Sequence, residues 1–130
     1  MATLFTRIIL GEIPAYKIAE NDQFLAFLDV FPLVEGHVLV IPKLEVDNLF
    51  DLKPLVLQQL FGFAQQVAKA IEKTVECRKV GVAVIGLEVP HAHIHLVPIN
   101  EVGDINFSRP KMQVSAEQLS AMQARLVAAF

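Results

Sequence analysis

Residues 90–98 read PHAHIHLVP. Three histidines, His91, His93 and His95, alternate with Ala92, Ile94 and Leu96 between two bracketing prolines. Alternation is the period of an extended strand, whose successive side chains point to opposite faces. The three imidazoles then share one face and the three apolar residues share the other. The apolar face belongs in a core. The imidazole face does not, because three rings packed together without partners would carry a heavy desolvation cost. It must meet water, a metal or a polar ligand. The chain has four histidines in all. The fourth, His37, follows Gly36 at the head of HVLVIP, residues 37–42. That run is apolar on both faces after its first residue, as expected of a strand covered on both sides. The start of such a strand lets a polar side chain emerge at a sheet edge.

Working outward, LFTRIIL (4–10) reads as a short helix ended by Gly11 and Pro14. AYKIAE (15–20) and FLAFLD (24–29) are short strands separated by the turn-like NDQ. From Pro54 to Cys77, Leu60, Phe63, Ala64, Val67, Ile71 and Val75 recur at helical spacing, and Pro54 suits a first turn. KVGVAVIG (79–86) is a valine-rich strand that precedes the histidine strand. After an irregular stretch, a helix is expected at about 115–130. Ser115 and Gln118 have capping-box spacing there, and Leu119, Met122, Leu126 and Phe130 form its apolar stripe. About five strands and two substantial helices, with short links between the first three strands, predict an α+β fold: an antiparallel sheet with helices packed on it. The length of 130 residues, without repeat or linker, predicts one domain over 1–130.

Composition excludes several classes. The formal charge is −3, with no basic stripe of the kind that binds nucleic acid. Although 54% of residues are hydrophobic, no run approaches the ~18 apolar residues of a membrane span. Arg7 and Glu12 interrupt the apolar N-terminal stretch, which makes a poor signal peptide. A soluble cytoplasmic protein is expected, part of whose apolar surface is hidden in an oligomer interface. The lone Cys77 excludes an internal disulfide and reads as a partly buried thiol at a helix end.

Three readings of the histidine face remain. The rings are surface residues that happen to alternate. Or they bind zinc, since two histidines at i and i+2 on a strand can reach one ion. Against this, no Asp or Glu lies among them to hold the far ring nitrogens. Or one imidazole is a nucleophile and its neighbours manage the protons. With an unperturbed pKa of ~6.5, imidazole can attack when neutral and donate when charged near pH 7.

The pattern resembles that of the histidine triad family: His, apolar, His, apolar, His, then two apolar residues. Upstream, GEIPAYKIAENDQFLAFLDVFPLVEGHVLVIPK (11–43) resembles the family's N-terminal half in content and order. The likeness is greatest to the Hint branch and its bacterial relatives. It implies an α+β domain that forms a homodimer by joining two five-stranded sheets into one ten-stranded sheet. It also implies hydrolase or transferase chemistry on a nucleotide α-phosphate, with no cofactor or metal. By position, His93 would be the nucleophile, forming a covalent nucleotidyl-histidine that water then releases as nucleoside monophosphate. His91 and His95 would orient it, bond the phosphate oxygens and help protonate the leaving group. His37 matches the family's fourth histidine, at the pocket rim. Asp29 matches the ribose-binding acid, and Phe5, Ile8, Ile13, Phe27, Val30 and Leu39 match positions that sandwich the base. The substrate implied is a purine nucleoside phosphoramidate. The alternatives are a dinucleoside polyphosphate, as in the Fhit branch, or a nucleotide-binding module with weak catalysis.

The chain also departs from the family pattern. Relatives usually carry an Asn on the strand before the triad, and Gln and Ser or Thr shortly before the first histidine, all near the phosphate. Here that run is VAVIGLEVPHAHIH (82–95), which has no Asn and a shortened connection. Glu88 stands near the expected hydroxyl residue. A carboxylate beside phosphate is unfavourable, so Glu88 either turns to solvent or favours cationic leaving groups such as an amine.

Overall fold

Thr3 opens the first helix by accepting the Thr6 N–H on its hydroxyl, and α1 then runs Leu4–Ile9. In this computed structural model, which describes residues 2–130, strands β1 (Lys17–Glu20), β2 (Phe24–Leu28) and β3 (Val38–Pro42) follow. Next come α2 (Pro54–Thr74), β4 (Lys79–Ala83), β5 (Ile94–Ile99) and α3 (Ala116–Ala129). The strands form one antiparallel sheet in the order β1-β2-β3-β5-β4. This is the expected α+β architecture of a five-stranded antiparallel sheet with two main helices. The Ser115 capping box forms as its spacing predicts.

Strand alternation divides the core. Ala26, Leu28, Val38, Val40, Ile94 and Leu96 face α2 and α3, where Leu60, Phe63, Val67, Ile71, Leu119 and Leu126 meet them. Leu25, Phe27, Leu39 and Ile41 point the other way and pack under Phe5 and Ile8 of α1. A single helix of six residues covers only part of this second face. His37 and His95 lie on the same side, beside it.

Three boundaries differ from the sequence expectation. Helix α2 stops at Thr74 rather than Cys77, because Val75 turns to extended backbone. The Thr74 carbonyl left free is taken by the Arg125 guanidinium of α3 at 2.5 Å, a cation at a helix C-terminus. Strand β5 begins at Ile94, so only His95 of the three histidines pairs within the sheet. The physical reason is Pro42. Continuing the β3–β5 ladder past Val40↔Ile94 brings β5 against a residue with no N–H to give. Ala92 instead donates to the Val46 carbonyl at 2.6 Å. Strand β4 pairs with β5 as far as Ala83↔His95 and ends there, short of Gly86.

The turn into β3 needs glycine. Gly36 has φ +88°, and a Cβ there would lie 2.9 Å from Val75 Cγ2. It delivers His37 to the sheet end with its ring almost fully buried. Among the described residues no helix is long and apolar enough to cross a membrane.

Candidate active site

His91 precedes β5, and its ring is fully occupied. Its Nε2–H donates to the Pro42 carbonyl at 2.8 Å. Its Nδ1 therefore accepts, and Thr3 Oγ1 stands 2.9 Å away to donate. Thr6 gives its own hydroxyl proton to Glu45 Oε1 at 2.6 Å, which leaves Thr3 rather than Thr6 to donate to His91. Glu45 also accepts the Thr3 N–H at 2.8 Å. With both nitrogens engaged, the His91 ring cannot reach a ligand. Its backbone carbonyl does the orienting, accepting from His93 Nδ1 at 2.7 Å.

That bond fixes the tautomer of His93. A carbonyl can only accept, so Nδ1 carries the proton and Nε2 carries the lone pair. The Phe5 ring stands edge-on to His93, with centroids 5.0 Å apart. Burial pushes the His93 pKa below the usual imidazole value, and the proximity of His91 adds to this. The charges of Asp29 and Glu88 and the bond to the His91 carbonyl oppose the shift. A neutral ring with an unblocked Nε2 is a nucleophile.

His37 and His95 form a second directed pair. The Leu33 N–H donates to His37 Nδ1 at 3.1 Å. His37 must then hold its proton on Nε2 and donate it to His95 Nδ1 at 3.0 Å. By the same logic His95 is protonated on Nε2. Burial drives both rings toward neutrality, His37 down to about 4 and His95 to about 3, with the Lys111 ammonium and neighbouring rings acting in the same direction. The His93 and His95 rings are 4.9 Å apart. Among the described residues no buried side-chain nitrogen or oxygen lacks a partner. The Nε2 atoms of His93 and His95, which have no protein partner, therefore reach solvent. One presents a lone pair and the other an N–H, side by side.

Asp29 closes the group from the end of β2. Its Oδ1 accepts the Phe31 N–H at 2.9 Å, and its Oδ2 lies 3.7 Å from His37 Nε2. Burial raises its pKa, against the Phe31 bond and the Lys111 charge. Phe5, Ile8, Phe27 and Leu39 form one buried cluster beside the histidines, with Ile13 packed against it. Val30 stands apart, 41% exposed. Glu88 is exposed, yet its charge bears on both His93 and Asp29.

Two contributions were not legible in the sequence. Thr3, Thr6 and Glu45 hold His91, although Thr3 and Thr6 signal only a helix start. Phe107, from the irregular stretch before α3, lies edge-on to His95 at 4.6 Å and to His37 at 6.0 Å. Nothing in its local pattern marks it.

The hydrogen bonds of these rings compete with metal binding. His91 has no free nitrogen to join His93 and His95 around zinc. Asp29, His37 and His95 do offer one ligand atom each within 4.8 Å. A metal on His37 Nε2 would force that ring's proton onto Nδ1, against the Leu33 N–H, and would break both hydrogen bonds of the pair.

The chain is similar in sequence and fold to known proteins. The HIT domain family matches residues 10–102. Adenosine 5′-monophosphoramidase HNT1 of Saccharomyces cerevisiae is 32% identical over 129 residues, spanning 98% of this chain and 82% of the yeast protein. Among solved structures, a Hit-like protein of Bartonella henselae superposes with a TM-score of 0.86 at 28% identity, covering 98% of this chain and 96% of its own. A Zn-bound histidine triad protein of Mycobacterium smegmatis gives 0.83 at 27% identity, covering 99% and 93%.

Proposed function

The chain belongs to the HIT domain family, and from that premise we propose that it is a nucleotide hydrolase working through a covalent nucleotidyl-histidine on His93. Its preferred substrates in this reading are purine nucleoside phosphoramidates, a reading supported by similarity to the yeast adenosine 5′-monophosphoramidase. The observation that carries the proposal is the 2.7 Å bond from His93 Nδ1 to the His91 carbonyl, which leaves Nε2 unprotonated. Nε2 attacks the α-phosphorus and the amine departs. Water then attacks the same phosphorus, frees Nε2 and releases the nucleoside monophosphate with a proton to solvent.

The remaining residues take roles consistent with their hydrogen bonds. His95 is a neutral donor whose Nε2–H meets a phosphate oxygen as charge develops there. Its Nδ1 is already committed to His37, so it serves better as a donor than as an acid. An amine leaving group therefore arrives with its proton or takes it from water. His91 acts through its carbonyl, and His37 holds His95 in its tautomer. Asp29 binds the ribose hydroxyls, and Phe5, Ile8, Ile13, Phe27 and Leu39 line the base site, with exposed Val30 at its edge. Purified protein is expected to convert adenosine 5′-phosphoramidate to AMP and, on rapid acid quenching, to carry labelled AMP on His93. Tight AMP binding without turnover would refute the hydrolase and leave a nucleotide-binding module.

The proposal includes a cytoplasmic homodimer. Strand β4 is the sheet's outer edge on the triad side. It and the loop after it expose Val82 (54%), Ile85 (46%) and Leu87 (90%). An unpaired edge lined with apolar residues is a site for strand addition. Sedimentation should give twice the chain mass of 14.4 kDa, and Val82→Lys with Leu87→Lys should shift it toward monomer. A wild-type monomer at high micromolar concentration would reject this part of the proposal.

A further inference from the structure

The stretch between the last strand and α3 crosses the histidine pair in a fixed conformation. Asn106 starts it, accepting the Ser108 N–H on its side chain at 3.0 Å and the Arg109 N–H on its carbonyl at 3.1 Å. The Arg109 guanidinium ties back to the Gly103 carbonyl at 2.5 Å. The Met112 N–H reaches the Pro32 carbonyl at 2.8 Å and pins the far end to the β2–β3 turn. Between these anchors, Phe107 covers His95 and His37. Lys111 folds back on Phe107. Its Nζ donates to the Phe107 carbonyl at 3.0 Å and lies 5.1 Å from the ring centroid.

The Lys111 ammonium is thus held near the site at low conformational cost. It has three donors, and the Phe107 carbonyl uses one. Among the described residues no carboxylate pairs with it. Its charge bears on Asp29, His37 and His95. Among the described residues the site otherwise lacks a fixed cation. His37, His93 and His95 are driven toward the neutral form, and the nearby fixed charges of Asp29 and Glu88 are negative. A phosphoryl group in transfer is anionic and needs compensating positive charge. Residues 82–90, which lead into the triad, contain no Asn, Gln, Ser or Thr side chain to bond such a group.

We propose that Lys111 is a phosphate-binding residue of this site, its ammonium meeting substrate phosphate oxygens beside His95 in a position set by Phe107. This rests on the nucleotide reading of the site. In this assignment the segment after the triad supplies a phosphate contact. Adenosine lacks the anion assigned to Lys111, so loss of Lys111 should separate nucleotides from nucleosides.

Calorimetric titration of wild type, Lys111→Met and Lys111→Arg with AMP and with adenosine tests this. Lys111→Met should weaken AMP about 5- to 20-fold, with Lys111→Arg staying within about 3-fold of wild type and adenosine unchanged throughout. AMP affinity in Lys111→Met should also depend less on ionic strength. Lys111 is exposed, so the variants should melt with wild type. If Lys111→Met leaves AMP within about 2-fold of wild type, or weakens adenosine in parallel, the assignment is overturned while the nucleotide reading stands. If wild type binds neither ligand, the nucleotide reading falls and this inference falls with it.

Discussion

His93→Ala is expected to abolish turnover of adenosine 5′-phosphoramidate, with kcat/KM falling on the order of 10⁴-fold or more. The reasoning is chemical rather than positional. Of the four imidazoles, His91 has both nitrogens bonded to protein, and His37 is committed at both ends between Leu33 and His95. His95 presents only an N–H. His93 alone offers a lone pair toward solvent, so no neighbour can replace it. His91→Ala makes the contrast that tests this logic. It removes the ring that bonds Pro42 and Thr3 but keeps the carbonyl that orients His93. Its effect should be about 10²-fold, the usual result of misplacing a reacting group by an ångström. AMP binding should survive in both variants, and only His93→Ala should fail to form the labelled adduct. Equal losses in the two variants, or an adduct on His93→Ala, would contradict the assignment.

Acid should destabilise the fold over a window set by His37 and His95. In the unfolded chain each titrates near 6.5, the ordinary value. In the folded protein burial pushes His37 to about 4 and His95 to about 3. Between these limits the unfolded state binds more protons than the native state, so stability falls as pH falls. The contribution is fully present above pH ~6.5 and is lost at about 1.4 kcal/mol per pH unit for each group. The loss continues to about pH 4 for His37 and about pH 3 for His95. Asp29 acts in the opposite sense, because burial raises its pKa. Denaturant unfolding at pH 7 and pH 5 should differ by several kcal/mol, roughly 4 if both rings contribute fully. His95→Asn keeps a polar side chain without a titrating ring and should reduce the dependence by about half. Equal stability at the two pH values would mean that these rings are hydrated in the native state.

These two effects share a cause that the order of residues shows only in outline. The sequence placed the five strands and both long helices, because apolar periodicity and Gly and Pro punctuation are local signals. It placed the three triad histidines on one side, because alternation persists through the extended lead-in even where ladder pairing stops. It marked His37 only by elimination, as the one histidine left. Family likeness named Phe5, Ile8, Phe27 and Leu39 together, and the fold gathers them into one buried cluster with Ile13 against it, while Val30 lies exposed on the loop after β2.

What the sequence alone determined is therefore an α+β sheet carrying imidazoles on one face, since strand period and side-chain polarity are properties of neighbours along the chain. The tertiary structure decided which imidazole keeps a lone pair free of protein partners. Protonation depends on partners brought from far away: Thr3 and Pro42 for His91, Leu33 and His37 for His95, and Phe107 with Lys111 above them. A carbonyl can only accept and an N–H can only donate, so each bond passes a proton assignment to the next ring. That directionality exists only once the chain has folded.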